Sequence, residues 1–313
     1  MPRKSSQTHA TPATVGVLTD PYLFEWQVRA IARMRSELEV DVPLVVRNAS
    51  PARWQASSGD GAIGLDRGTL ARILDGIERE RAWMLVLAER ALAGVFGDDR
   101  PLWRCHPVED VEALADATHL ECEPRIDGNW NELPDEVVAQ LADRCDVVIR
   151  FGFGLVRGDV LTAPEYGVLS FHPADIRRYR GMGPPIIFRD GRNRAGSTLQ
   201  RLNQSIDGGE IVAYDEVCLD ECYTLWDVYD RIASLQVRLL THGVANLRDP
   251  AFEPETVPDE RLGEFYYRSQ RKTLEFSASV LAKNLAGRTR RRLGRRRPVD
   301  APEERERTVY PGD

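Results

Sequence analysis

The chain has 313 residues, 42% of them hydrophobic and 29% charged, with a net charge of -7. That length can bury a full core as one large domain or a domain with an appendage, and the composition excludes a disordered protein. No apolar run reaches the ~18 residues of a membrane span, and the acidic balance argues against general nucleic-acid binding, which needs a basic footprint to displace phosphate counterions.

Residues 1–13 are rich in Ser, Thr and Pro and read as a disordered tail without the apolar h-region of a secretory signal. Five cysteines, an odd number without framework spacing, point to a reducing compartment, with cytoplasm as the default. Nearly all positive charge is arginine, since lysine occurs only at Lys4, Lys272 and Lys283.

Residues 13–20 predict a short buried strand, and Phe24, Val28, Ile31, Ala32 and Met34 then recur at helical spacing. Residues 42–48 are a continuous apolar run of the parallel-sheet type, which completes a β-α-β start. A polar, glycine-rich loop over 49–68 precedes a helical pattern over 69–93 that includes Leu70, Ile73, Met84 and Leu92. A weaker strand is expected at 118–122 and a helix at 133–145, whose early acidic residues suit the helix dipole. Residues 146–152 form the next apolar strand, 155–162 a short helical turn, and 166–172 another strand. In that last strand the period of two puts Val168, Ser170 and His172 on one face and Leu169 and Phe171 on the other.

Two further strands, 197–202 and 210–217, are joined by a turn in which Asp207, Gly208 and Gly209 supply positive-φ residues. A long helix over about 224–247 closes a domain spanning 14–250. Residues 251–297 read as a basic helical appendage, with Phe276, Val280, Leu281 and Leu285 on one stripe and seven arginines within 288–297. Residues 298–313 read as a disordered tail. The fold class is α/β: a mainly parallel, Rossmann-like sheet with helices on both faces and a basic helical tail.

Ser170 and His172 lie at the carboxyl end of a strand, where open α/β sheets place their ligands. Three blocks surround them in order: DVVIRFGFGLVRGDVL (146–161), GVLSFHPADIRRYRGMGPP (167–185) and GSTLQRLNQSIDGGEIV (196–212). Their order and spacing resemble the folate-dependent formyltransferases, a family that includes the glycinamide ribonucleotide, methionyl-tRNA and sugar-amine formyltransferases. The resemblance covers residues 146–245 closely and the amino-terminal half in outline.

The family's catalytic trio is Asn, His and Asp. The resemblance assigns His172 and Asp207 to the last two, while the asparagine position holds Ser170, whose reach is about one bond shorter. It implies 10-formyltetrahydrofolate as formyl donor, with the pterin against backbone of Leu155, Val156 and Arg157 and of the Ser205, Ile206 and Asp207 loop. His172 would donate to the formyl oxygen as charge develops there. Asp207 would raise the histidine's pKa and take the amine's proton, directly or through water.

The glycine-rich phosphate loop of the glycinamide ribonucleotide enzymes is replaced here by LTDPYLFEW. The residues after 250 are too few for the barrel domain of the methionyl-tRNA enzymes. These departures leave a small-molecule amine, an amino sugar first among them, as acceptor, with Arg177, Arg178, Arg180 and Gly181 as candidate substrate contacts. A hydrolase passing the formyl group to water, and a non-catalytic protein that kept the fold, are the alternatives.

Two other features carry weaker expectations. Cys105, His106, His119 and Cys122 have donor types that suit zinc, but the adjacent Cys-His pair is awkward and 107–116 reads as helical, so no metal is expected. The arginine cluster is expected to be a solvated tail, with peripheral contact to an anionic surface as its alternative.

Overall fold

The computed structural model describes residues 12–50 and 78–294. The tails over 1–11 and 295–313 and most of the expected 49–68 loop lie outside them, as do residues 69–77 of the helical pattern.

Seven strands form the central sheet: β1 Val15–Thr19, β2 Leu44–Asn48, β3 Thr118–Cys122, β4 Val147–Arg150, β5 Val168–His172, β6 Arg194–Arg201 and β7 Glu210–Cys218. Their spatial order is β7-β6-β5-β4-β1-β2-β3. The five from β5 to β3 run parallel, and β6 and β7 add an antiparallel ribbon at one edge. Parallel strands are covered on both faces, which is why β1, β2 and β4 read as unbroken apolar runs rather than alternating ones.

Six helices are described: α1 Glu25–Leu38, α2 Met84–Val95, α3 Asp135–Arg144, α4 Gly183–Arg189, α5 Leu225–Arg248 and α6 Leu274–Gly294. On one face α1 (Ala30, Ile31, Met34) and α5 (Leu239, Leu240, Val244) bury Val15, Val17, Ile149 and Leu169. On the other, Val137 and Leu141 of α3 cover Leu18, Val46, Val148 and Val168. Each such aliphatic side chain removed from water contributes about 1.5–3 kcal/mol. The start of α5 is fixed by a capping box in which Thr224 and Asp227 satisfy each other's backbone N–H.

Two local readings change. The expected helical turn over 155–162 is a strand, Leu155–Arg157, followed by a single 3-10 turn, because residues 155–157 pair in parallel with Trp130–Glu132. The expected helix over 107–116 resolves into two 3-10 turns around Val111.

The carboxy-terminal helix is packed into the molecule. Phe276 and Val280 are buried with Trp83, Ile186, Ile187 and Phe188, Leu281 packs partly against them, and Leu285 alone of the stripe is exposed. Buried Asn284 accepts from Leu225 N at 2.8 Å and donates to Glu89 at 2.9 Å. Arg288 bridges Glu89 and Asp98, and Arg291 pairs with Asp227. Gly287 lets the helix touch the loop before α5: a Cβ there would lie 1.7 Å from Tyr223 O. The apolar stripe is thus spent internally, and two of the cluster's arginines are ion-paired within the fold.

Candidate active site

Parallel pairing sets Ser170 of β5 beside Arg150 of β4, so both side chains leave the same face of the sheet at its carboxyl end. His172 follows on that face. Phe171 points the other way and meets Trp26 edge-on at 5.7 Å.

His172 is 3% exposed, and both ring nitrogens face acceptors. Nδ1 lies 3.2 Å from Asp207 Oδ1, and Nε2 donates to Tyr179 O at 2.8 Å. A ring with two acceptors and no donor is an imidazolium. Burial works against that charge, but Asp207, with help from Tyr179 O and Asp175, outweighs it and raises the pKa.

Asp207 is gripped from three sides. Besides His172, it accepts from Gly181 N at 2.8 Å and from Gln200 Nε2 at 3.5 Å. Burial pushes its carboxyl up, and the His172 charge and these donors reverse that, holding it at about 2. Within the Asp-Gly-Gly turn only Asp207 adopts positive φ, +50°. Gly209 is needed for proximity instead, since a Cβ there would lie 2.2 Å from Arg201 O.

The four candidate substrate contacts are engaged with the protein to different degrees. Arg177 pairs with Asp175 at 2.8 Å and Glu255 at 3.3 Å and lies over the Tyr214 ring. Arg180 donates to Gly263 O at 2.9 Å, and Gly181 serves Asp207. Arg178 is the most open, 69% exposed and 3.8 Å from Asp175.

The loop expected to meet a pterin is tightly held. Gly154 stands at φ +60°, which glycine adopts freely, but Phe153 before it is buried at +64°, a strained conformation for a residue other than glycine for which the surroundings must compensate. They do so through Asp20 Oδ1, which accepts from Phe153 N at 3.1 Å, and Asn131 Nδ2, which donates to Phe153 O at 2.6 Å. A Cβ at Gly152 would lie 2.2 Å from Asp20 N, so only glycine fits. Leu155, Val156 and Arg157 form the edge of their small sheet, with Val156 buried and Arg157 paired to Glu132 and Asp127 at 2.6 Å each. Ser205 is exposed in a turn closed by Asn203, and Ile206 is half-buried. Residues 155–157 follow the carboxyl end of β4, and Ser205 and Ile206 precede Asp207 in the loop between β6 and β7.

A cavity of about 190 Å³ opens beside Ser170, lined by Arg150, Trp26, Phe151, Phe171 and Tyr229 among others. Arg150, Asp20, Asn131 and Gln200 complete the site and were not singled out by the sequence. Arg150 had a signal, a cation ending the otherwise apolar Val-Val-Ile run; the other three had none. The zinc set does not assemble: His106 pairs with Glu25 at 2.7 Å and His119 bonds Leu114 O at 3.1 Å. No group of three or more His, Cys, Asp or Glu that could hold a metal occurs among the described residues, nor does any helix there long and apolar enough to cross a membrane.

The described residues thus form a mostly parallel α/β sheet with a His-Asp pair at its carboxyl end. Residues 109–244 match the family model described as Formyl transferase. The chain is 34% identical over 104 residues to methionyl-tRNA formyltransferase from Rickettsia rickettsii (strain Iowa), covering 32% of this chain and 33% of that one. To the Bacillus thuringiensis (strain Al Hakam) methionyl-tRNA formyltransferase it is 28% identical over 141 residues, 44% of each chain. The chain therefore spans a third to less than half of the length of these curated relatives. In fold it is similar to a sugar N-formyltransferase from a Shewanella species, with a TM-score of 0.50 and 13% identity over 87% of this chain and 88% of that one.

Proposed function

We propose that the protein transfers a formyl group from 10-formyltetrahydrofolate to the amine of a small molecule, with amino sugars as the acceptor class. The observation that carries this reading is the buried His172–Asp207 pair at the carboxyl end of β5. The donor's pterin fits the free edge of the strand 155–157, since an edge strand offers alternating N–H and C=O groups to a planar ring that both donates and accepts. Leu155, Val156 and Arg157 would hold it there, with backbone of Ser205 and Ile206 alongside. When bound, 10-formyltetrahydrofolate supplies an activated formyl carbon.

The chain's own residues supply charge and position. His172 places a fixed positive charge beneath the reacting carbonyl, and in a site shielded from water such a charge is worth far more than in solution. Asp207, held near pKa 2, is a weak base at neutral pH; its larger effect is to keep His172 charged, with the amine's surplus proton leaving through it or through water. Ser170 adds a hydroxyl where the family has an amide. Arg177, Arg178, Arg180 and Gly181 bound the acceptor side, and Arg178 is the arginine best placed to meet a phosphate.

Among the described residues, the stretch after α5 holds the short strand Glu264–Tyr266 and α6. No nucleic-acid partner is proposed. Contact with an anionic surface would rest on exposed arginines such as Arg290 and Arg292 alone. The second reading is a hydrolase that admits water in place of an amine at the same His172–Asp207 pair. Product analysis separates them. Formylated product from amino sugars supports transfer, free formate without any amine supports hydrolysis, and neither product from the wild type or Ser170→Asn leaves a binding protein.

A further inference from the structure

His172 cannot donate to a formyl oxygen without giving up Tyr179 O or Asp207, because both of its N–H groups are already used. Ser170 Oγ accepts from Arg150 at 2.6 Å and keeps a single neutral O–H to donate. The charged side chain beside them with donors to spare is Arg150. A guanidinium carries five N–H bonds, and Arg150 makes two hydrogen bonds, one to Ser170 and one to Gly154 O. Its Nε is shielded from solvent and has no partner.

Both contacts are to neutral groups. Burial disfavours the Arg150 charge, and the fields of Asp207 and Asp20 offset this only in part. A half-buried cation without a contacting counter-charge carries a desolvation cost, and that cost falls when negative charge appears beside it. Arg150 also lines the cavity that opens at Ser170.

We infer that Arg150 is the donor to the formyl oxygen in this protein, reaching into the space left where serine replaces the family's longer asparagine. The inference rests on the formyl-transfer reading and specifies how it works here. As the amine nitrogen bonds to the formyl carbon, the carbonyl electron pair moves onto the formyl oxygen, where Arg150 stabilises it. When that pair returns, the bond from the formyl carbon to the donor nitrogen breaks. The donor nitrogen keeps that bond's electrons and gains a proton, and the amine loses one.

The test uses 10-formyl-5,8-dideazafolate, a stable donor analogue with its formyl group on the reacting nitrogen, labelled with ¹³C at that carbon and bound without an amine. Isotope-edited infrared spectroscopy should find the bound carbonyl stretch below its value in water for the wild type, moved back toward that value in Arg150→Gln and partly restored in Arg150→Lys. A wild-type carbonyl at its solution frequency, or a downshift that survives in Arg150→Gln, overturns the assignment. Absence of saturable binding to the wild type contradicts the formyl-transfer reading itself. In turnover with an accepted amine, Arg150→Gln should lower kcat by about 10²–10³-fold with KM for the donor nearly unchanged; a loss confined to KM would show that Arg150 only holds the Gly154 loop.

Discussion

The protein contains two partly buried ionic networks built on opposite principles. In the one that fastens α6, Glu89 and Asp98 share Arg288, and Arg291 meets Asp227, so each charge contacts its opposite. In the one at the carboxyl end of the sheet, Asp207 is fully engaged while Arg150 makes contact only with a carbonyl and a hydroxyl. Matched charges fix a helix in place; an unmatched cation beside a cavity leaves free energy to be recovered when negative charge arrives.

The sharpest way to break this comparison is to remove one anion from each network. Asp207→Asn should lower formyl transfer by about 10³-fold through loss of the field that keeps His172 charged, with helix content in circular dichroism near wild type. Replacing Glu89 should do the reverse, costing about 1–3 kcal/mol because it leaves the buried donors of Asn284 and Trp226 without their acceptor and Arg288 with Asp98 alone, as read by urea unfolding. Gly287→Ala tests the same anchorage sterically: the added methyl meets Tyr223 O, and a loss of about 1–3 kcal/mol is expected.

The pH dependence sharpens the contrast. Asp207 is depressed from 3.8 to about 2, so its contribution to stability is present above pH ~4 and fades as the pH falls toward 2. His172 is raised above 6.5, so its contribution is complete below that value and is lost as the pH climbs through its folded pKa. Denaturant midpoints measured across pH should therefore decline on both sides, and Asp207→Asn should flatten both limbs. The smallest effect is expected at Arg178: its exposed side chain makes Arg178→Ala neutral within about 0.5 kcal/mol.

Much of the fold was legible because parallel strands announce themselves as short apolar runs. The strands at 118–122 and 210–218, the helix α5 and the shared face of Ser170 and His172 stand where periodicity puts them. The strand 155–157 was not legible, since three residues carry no period and its partner, Trp130–Glu132, is equally short. The arginine-rich helix misled because composition describes solvation, whereas Arg288 and Arg291 find their carboxylates on α2, the loop after it and α5, far away in sequence. At the site, His172 and Asp207 could be named from their blocks, but Arg150 acquires its meaning only from register with Ser170.

The most direct test of the account is isothermal titration of the purified protein with 5-formyltetrahydrofolate, beside variants of Leu155, Val156 and Arg157 and Asp207→Asn. Saturable binding to the wild type that weakens in the loop variants is the predicted result. No binding to a protein shown to be folded would contradict the donor assignment and leave the formyltransferase fold serving another ligand.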